Sequence, residues 1–129
     1  MVGIVIVSHS KKASDGIVEL ALQMAGDKVD IISAGGMEDG SMGTDTLKIQ
    51  QAIEDADSGE GVLILIDMGS GVLSAQTAVD LIAGGIDTEI ADAPVLEGAV
   101  FAAVQAAMGG TLDEVKKAAE EVRKVSKLQ

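Results

Sequence analysis

The stretch Val2-Gly3-Ile4-Val5-Ile6-Val7-Ser8-His9-Ser10 decides the fold. Val2 to Val7 shows no polar alternation, which is the pattern of a short strand buried on both faces inside a parallel sheet. The polar triplet Ser8-His9-Ser10 then starts where the strand ends. In open α/β sheets that edge is the crevice in which ligands bind. His9 is the one histidine, and the chain has no cysteine, tyrosine or tryptophan. It is the strongest candidate nucleophile the sequence offers.

Strand-like runs and helical patterns alternate outward from this stretch. Lys11 to about Met24 predicts a helix with Ile17, Leu20, Ala21 and Met24 on one face and Gly26 at its end. Val29 to Ala34 reads as a second strand, Gly35 to Gly43 as a glycine-rich loop, and Thr44 as the N-cap of a helix to about Asp55. Gly61 to Ile66 is the clearest strand, with Asp67 directly after it. A helix from about Val72 to Ala83 ends at Gly84-Gly85, and Thr88 to Ala91 forms a weak fourth strand. Pro94 suits the first turn of a helix that runs to about Met108. Thr111-Leu112-Asp113-Glu114 has the form of a capping box and opens a charged helix to near Lys127.

This alternation predicts one domain over residues 1–129. Its class is a three-layer α/β/α fold around a mainly parallel four-stranded sheet in the order 2-1-3-4, with right-handed crossovers. The core must be aliphatic, because Phe101 is the one aromatic residue.

Charge narrows the partners. Nine basic against 21 acidic residues give a net charge of −12, which repels phosphate backbones and anionic lipid. Nucleic acid and membrane surfaces are therefore excluded as expected partners, and a basic protein surface is favoured. Apolar runs are too short to span a bilayer, and the first residues lack a basic leader pattern, so a cytoplasmic protein is expected. The lack of cysteine removes thiolate chemistry and is compatible with a reducing compartment.

Three segments should meet at the strand ends: Ser8-His9-Ser10, Gly35 to Thr44, and Asp67-Met68-Gly69-Ser70-Gly71. In a 2-1-3-4 sheet the order reverses between strands 1 and 3, so His9 and Asp67 face each other across the crevice. A carboxylate on one imidazole nitrogen fixes the tautomer and leaves the other as a lone pair. Against this stands the commoner fate of a lone histidine, a satisfied structural role. Asp67 also suits a turn or cap before the third helix. Gly69 and Ser70 precede a helix and could hold an anion at its positive end. The long Gly35–Gly43 loop reads equally as a mobile surface loop or as a wall of the site.

Other chemistries lack their motifs. No G-x-G-x-x-G follows the first strand and no G-x-x-x-x-G-K-[ST] is present. One histidine among scattered acids makes a poor transition-metal site, and the G-x-S-x-G elbow of a serine hydrolase is absent. Neither a metal nor a cofactor is expected.

Four segments in order carry a family resemblance: Gly3 to Ser10, the loop from Ala34-Gly35-Gly36 to Gly43-Thr44-Asp45, Asp67-Met68-Gly69-Ser70, and Ala93-Pro94-Val95-Leu96-Glu97-Gly98-Ala99. Together they resemble the mannose-type IIA domains of the bacterial phosphoenolpyruvate phosphotransferase system over nearly the whole chain. Sugar-transport members usually have Gly-Gly-Ser/Thr-Pro after the third strand's aspartate. Met68-Gly69-Ser70-Gly71 instead resembles the phosphotransferase subunits of phosphoenolpyruvate-dependent dihydroxyacetone kinases, as does the chain's ending at Gln129 without a IIB domain.

The resemblance implies a phosphohistidine on His9, in a protein that is often a homodimer. The donor would be phospho-HPr and the acceptor ADP held on the kinase's nucleotide-binding subunit. Asp67 would support His9, and Gly69, Ser70 and either Ser10 or Gly36 would contact the phosphoryl oxygens. A sugar-transport IIA protein that passes phosphate to a IIB domain stays open as an alternative. So does a receiver-like signalling domain phosphorylated on Asp67, although His9-Ser10 stands where a receiver has its acidic pair and no fifth strand ends in lysine. A regulatory binding module without phosphorylation is the third alternative, disfavoured by the intact His9 and Asp67.

Overall fold

The structure, a computed structural model, describes residues 1–82 and 84–128. Four parallel strands form one sheet in the order β2-β1-β3-β4, as the sequence predicts. In chain order the elements are β1 (Gly3–Ser8), α1 (Lys11–Ala25), β2 (Ile31–Gly35), α2 (Thr46–Ala56), β3 (Val62–Ile66), α3 (Val72–Leu81), β4 (Thr88–Ile90), α4 (Val95–Ala107) and α5 (Leu112–Glu121). A 3-10 turn, Gly69–Gly71, leads into α3. Residue 83, the predicted end of the third helix, lies outside the described residues, and α3 closes at Leu81.

Alternation along β1 and β3 divides the core into two layers, because successive strand residues point to opposite faces. Ile4, Ile6, Leu63 and Leu65 pack under α1, α4 and α5. Val5, Val7, Ile64 and Ile66 pack under α2 and α3. β1 and β3 are buried along their whole lengths, which fits the unbroken apolar runs of both. Each fully buried Ile, Leu or Val contributes about 1.5–3 kcal/mol of transfer free energy. Ala99, Ala102, Ala103 and Ala106 give α4 a flat buried face, so it approaches the sheet closely without aromatic side chains.

Several boundaries differ from the sequence reading, among them β2, which runs from Ile31 to Gly35 and not from Val29 to Ala34. Asp45, rather than Thr44, caps α2, accepting from the N–H groups of Leu47 and Lys48. Thr44 instead pairs its hydroxyl with Ser74 at 2.7 Å, so it joins the loop to α3. Pro94 is the N-cap of α4 and not its first turn. The last helix stops at Glu121 and tightens into a 3-10 turn, Val122–Lys124. Val122 is its final buried residue, and from Arg123 to Leu128 every side chain is exposed, so no apolar contact extends the helix. The Thr111–Glu114 capping box is formed as expected.

Candidate functional site

His9 and Asp67 each follow a central strand by one residue, and β1 pairs with β3 up to the couple Val7–Ile66. The register therefore delivers both side chains to neighbouring strand ends. Asp67 is anchored by its own N–H, which donates to the carbonyl of Val7 at 3.0 Å. Nδ1 of His9 lies 3.0 Å from Oδ1 of Asp67. Oδ2 accepts the His9 backbone N–H at 3.0 Å and the Ser8 hydroxyl at 3.1 Å.

This arrangement sets the protonation. Burial alone would raise the Asp67 pKa. The backbone N–H and ring of His9 and the hydroxyl of Ser8 outweigh it, holding the carboxyl below its ordinary value. An ionised carboxylate only accepts hydrogen bonds, so Nδ1 must carry the proton. In the neutral ring Nε2 is then the lone pair, and the Ser70 hydroxyl, 2.9 Å away, donates to it. The side chains of His9 and Asp67 are 23% and 19% exposed, so a partner can reach the ring while most of the pair is shielded from water.

Ser70 comes from the 3-10 turn between β3 and α3. Gly69 and Ser70 lead the first turn, where N–H groups have no acceptor within the helix. A Cβ on Gly71 would lie 2.7 Å from Ile66. Glycine there lets the turn sit against the end of β3 and aims Ser70 at His9.

The other predicted residues are placed less directly. Ser10 caps α1 by accepting the Ala13 N–H, and its own N–H donates to Ser8 Oγ at 3.0 Å. Its hydroxyl proton stays available. Gly36 departs from its expected role as a donor, because its N–H is taken by the carbonyl of Ser8 at 3.0 Å. It shapes the wall beside Lys11 in a left-handed conformation, φ +75°.

The Gly35–Gly43 loop is a wall and not a loose excursion. Met37 and Ser41 close it, Asp39 bonds both the N–H and the hydroxyl of Ser41, and the Gly43 N–H donates to the His9 carbonyl at 2.8 Å. Ser8, grouped with His9 and Ser10 at the strand end in the sequence reading but given no role there, is a further contributor. A polar residue ending an apolar strand beside His9 was the signal available. An open groove of about 460 Å³ lies beside Asp67, bordered by Met68, Gln76, Asp92 and Ala93. Among the described residues no group of three His, Cys, Asp or Glu is placed to hold a metal ion. Among the described residues no helix is long and apolar enough to cross a membrane.

Parallel sheet, strand-end histidine, half-buried carboxylate and facing serine together define a class, and comparison gives the family. Residues 3–116 match the family described as the PTS system fructose IIA component, and the chain belongs to that mannose-type IIA family. It is 46% identical over 111 residues to the Listeria innocua protein named PEP-dependent dihydroxyacetone kinase 2, phosphoryl donor subunit DhaM, covering 81% of this chain and 86% of that one. It is 38% identical over 138 residues to the phosphoryl donor subunit DhaM of the Providencia stuartii PEP-dependent dihydroxyacetone kinase. All of this chain matches there, but it spans only 28% of that relative's length. A crystal structure of a protein of unknown function, EF1359, superposes with a TM-score of 0.83 at 39% identity, over 93% of each chain. The family resemblance drawn from the four motifs is borne out.

Proposed function

We propose that this chain is a phosphohistidine carrier of a phosphoenolpyruvate-dependent dihydroxyacetone kinase. His9 takes a phosphoryl group from phospho-HPr and passes it to ADP held on the kinase's nucleotide-binding subunit. The observation that carries this reading is the division of the His9 ring: Nδ1 is committed to Asp67 while Nε2 faces a serine at the accessible edge. The names of the Listeria and Providencia relatives support the choice of kinase over sugar transporter.

In the forward step Nε2 attacks phosphorus as the donor's bond to phosphorus breaks on the opposite side. No proton need move, because Nδ1–H stays in place and the positive charge gained by the ring is matched by Asp67. The transition state is loose, so alignment and charge stabilisation dominate. Ser70 turns its hydroxyl from Nε2 to a phosphoryl oxygen, and the N–H groups of Gly69 and Ser70 serve the others, with Ser10 able to reach in. The second transfer is the same displacement with ADP as nucleophile. The proposed setting is the cytoplasm and the proposed working form a homodimer.

Reconstitution tests the reading. Phosphoenolpyruvate, enzyme I, HPr, the two other kinase subunits and dihydroxyacetone should yield the phosphate ester only when this chain is added. Transfer to a IIB domain in place of the ADP-loaded subunit would redirect the assignment to sugar transport.

A further inference from the structure

We propose that Ser8 is a positioning residue for His9, acting through Asp67. Its structural part stands alone, and its kinetic part rests on the phosphohistidine reading above.

Ser8 ends β1 and is 1% exposed. Among the described residues only Ser8 and Ser14 are buried polar side chains. A hydroxyl in such a place must find partners or lose solvation without return, and Ser8 spends both halves of its hydroxyl on the site. Its proton goes to Oδ2 of Asp67 at 3.1 Å, and its oxygen accepts the Ser10 N–H at 3.0 Å. Its carbonyl accepts the Gly36 N–H. One residue thus ties together the carboxylate, the start of α1 and the loop wall.

The two oxygens of Asp67 do different work. Oδ2 holds two donors, the His9 N–H and the Ser8 hydroxyl. Oδ1 faces Nδ1 of the ring at 3.0 Å, closer than Oδ2 at 3.3 Å. Turning the carboxylate away from the ring must break both bonds on Oδ2 instead of one. Without the hydroxyl, the carboxylate would rock and hold Nδ1–H less firmly. The neutral ring would then populate the tautomer with its proton on Nε2, which has no lone pair to attack phosphorus. Burial in the strand does not by itself call for a hydroxyl, since Ile6 and Val7 before it are buried and apolar.

The test uses Ser8→Ala and Ser8→Thr in the full chain, each checked by thermal unfolding. The ring nitrogens of His9 are read by long-range 15N–1H correlation at mildly alkaline pH, where an ordinary imidazole is neutral. The wild type should show one tautomer, protonated on Nδ1, and Ser8→Ala a mixture. The rate of phosphorylation by phospho-HPr should fall about tenfold in Ser8→Ala, the loss of one hydrogen bond to a charged group. Ser8→Thr, which keeps the hydroxyl, should retain the wild-type tautomer and most of the rate. If the extra methyl prevents folding, Ser8→Cys, similar in size but a weak donor, should behave as Ser8→Ala. A folded Ser8→Ala with the wild-type nitrogen pattern overturns the proposal, as does a loss that tracks stability equally in the alanine and threonine variants. Should HPr fail to phosphorylate the wild type, the carrier reading falls while the tautomer measurement still decides the role of Ser8.

Discussion

Ser70 Oγ sits 2.9 Å from His9 Nε2, so in the resting protein a hydroxyl covers the nitrogen that would attack phosphorus. The same group is placed to donate to a phosphoryl oxygen once the N–P bond forms. The charged acceptor makes the second bond stronger than the first.

Ser70→Ala should therefore slow phosphorylation, by roughly five- to tenfold, despite uncovering Nε2. It should also shorten the hydrolysis half-life of the phosphoprotein. Stopped-flow phosphorylation and the decay of the phosphoprotein check both. A faster rate in the variant would mean that covering the nitrogen outweighs stabilising the product.

Asp67→Asn keeps the shape of the side chain but can present an N–H₂ to the ring. The favoured neutral tautomer then has its proton on Nε2, and the imidazolium-like state loses its counter-charge. Phosphorylation should drop on the order of 100-fold or more, following the logic of carboxylate-oriented histidines. Near wild-type transfer would show that Asp67 does not support His9.

Acid stability follows from the same carboxylate. Its folded pKa is depressed below the ordinary 3.8, so its contribution to stability is whole above that value and is lost as pH falls through the folded pKa. Asp15 has the same sign, its carboxyl lowered first by the Lys11 ammonium and then by the Ser33 hydroxyl. Urea unfolding at a series of pH values should show stability falling below about pH 3.8, less steeply in Asp67→Asn. Identical acid slopes would contradict a depressed Asp67.

Close approach of α1 to β2 gives a prediction at a distance from the chemistry. A Cβ on Gly35 would collide with Ser14 Oγ and lie 2.5 Å from the Ser10 carbonyl, and that carbonyl cannot yield without moving the start of α1. Gly35→Ala should cost about 1–3 kcal/mol of stability through overpacking, and it should shift the amide resonances of His9 and Ser10. A variant with wild-type melting and an unmoved spectrum would show that the approach is looser than this.

The sheet was legible because Val2–Val7 and Gly61–Ile66 are apolar on both faces, a pattern few other environments produce. His9 and Asp67 were legible together because strand ends in a 2-1-3-4 sheet converge whatever the loops do. The Asp45 cap was not: Thr44 and Asp45 are adjacent capping residues, Asp the stronger of the two, and in the fold Thr44 is engaged by Ser74 while Asp45 caps α2. Nor could sequence show that the Gly36 N–H is spent on the Ser8 carbonyl or that the Ser8 hydroxyl turns to Asp67. Both depend on a long-range register that lies outside any local window.

The most direct measurement is intact-mass spectrometry of the wild type and His9→Ala after incubation with phosphoenolpyruvate, enzyme I and HPr. The account predicts a single phosphoryl adduct on the wild type, lost in acid and stable in base, and none on the variant. An adduct that survives in His9→Ala, or no adduct on the wild type, would contradict it.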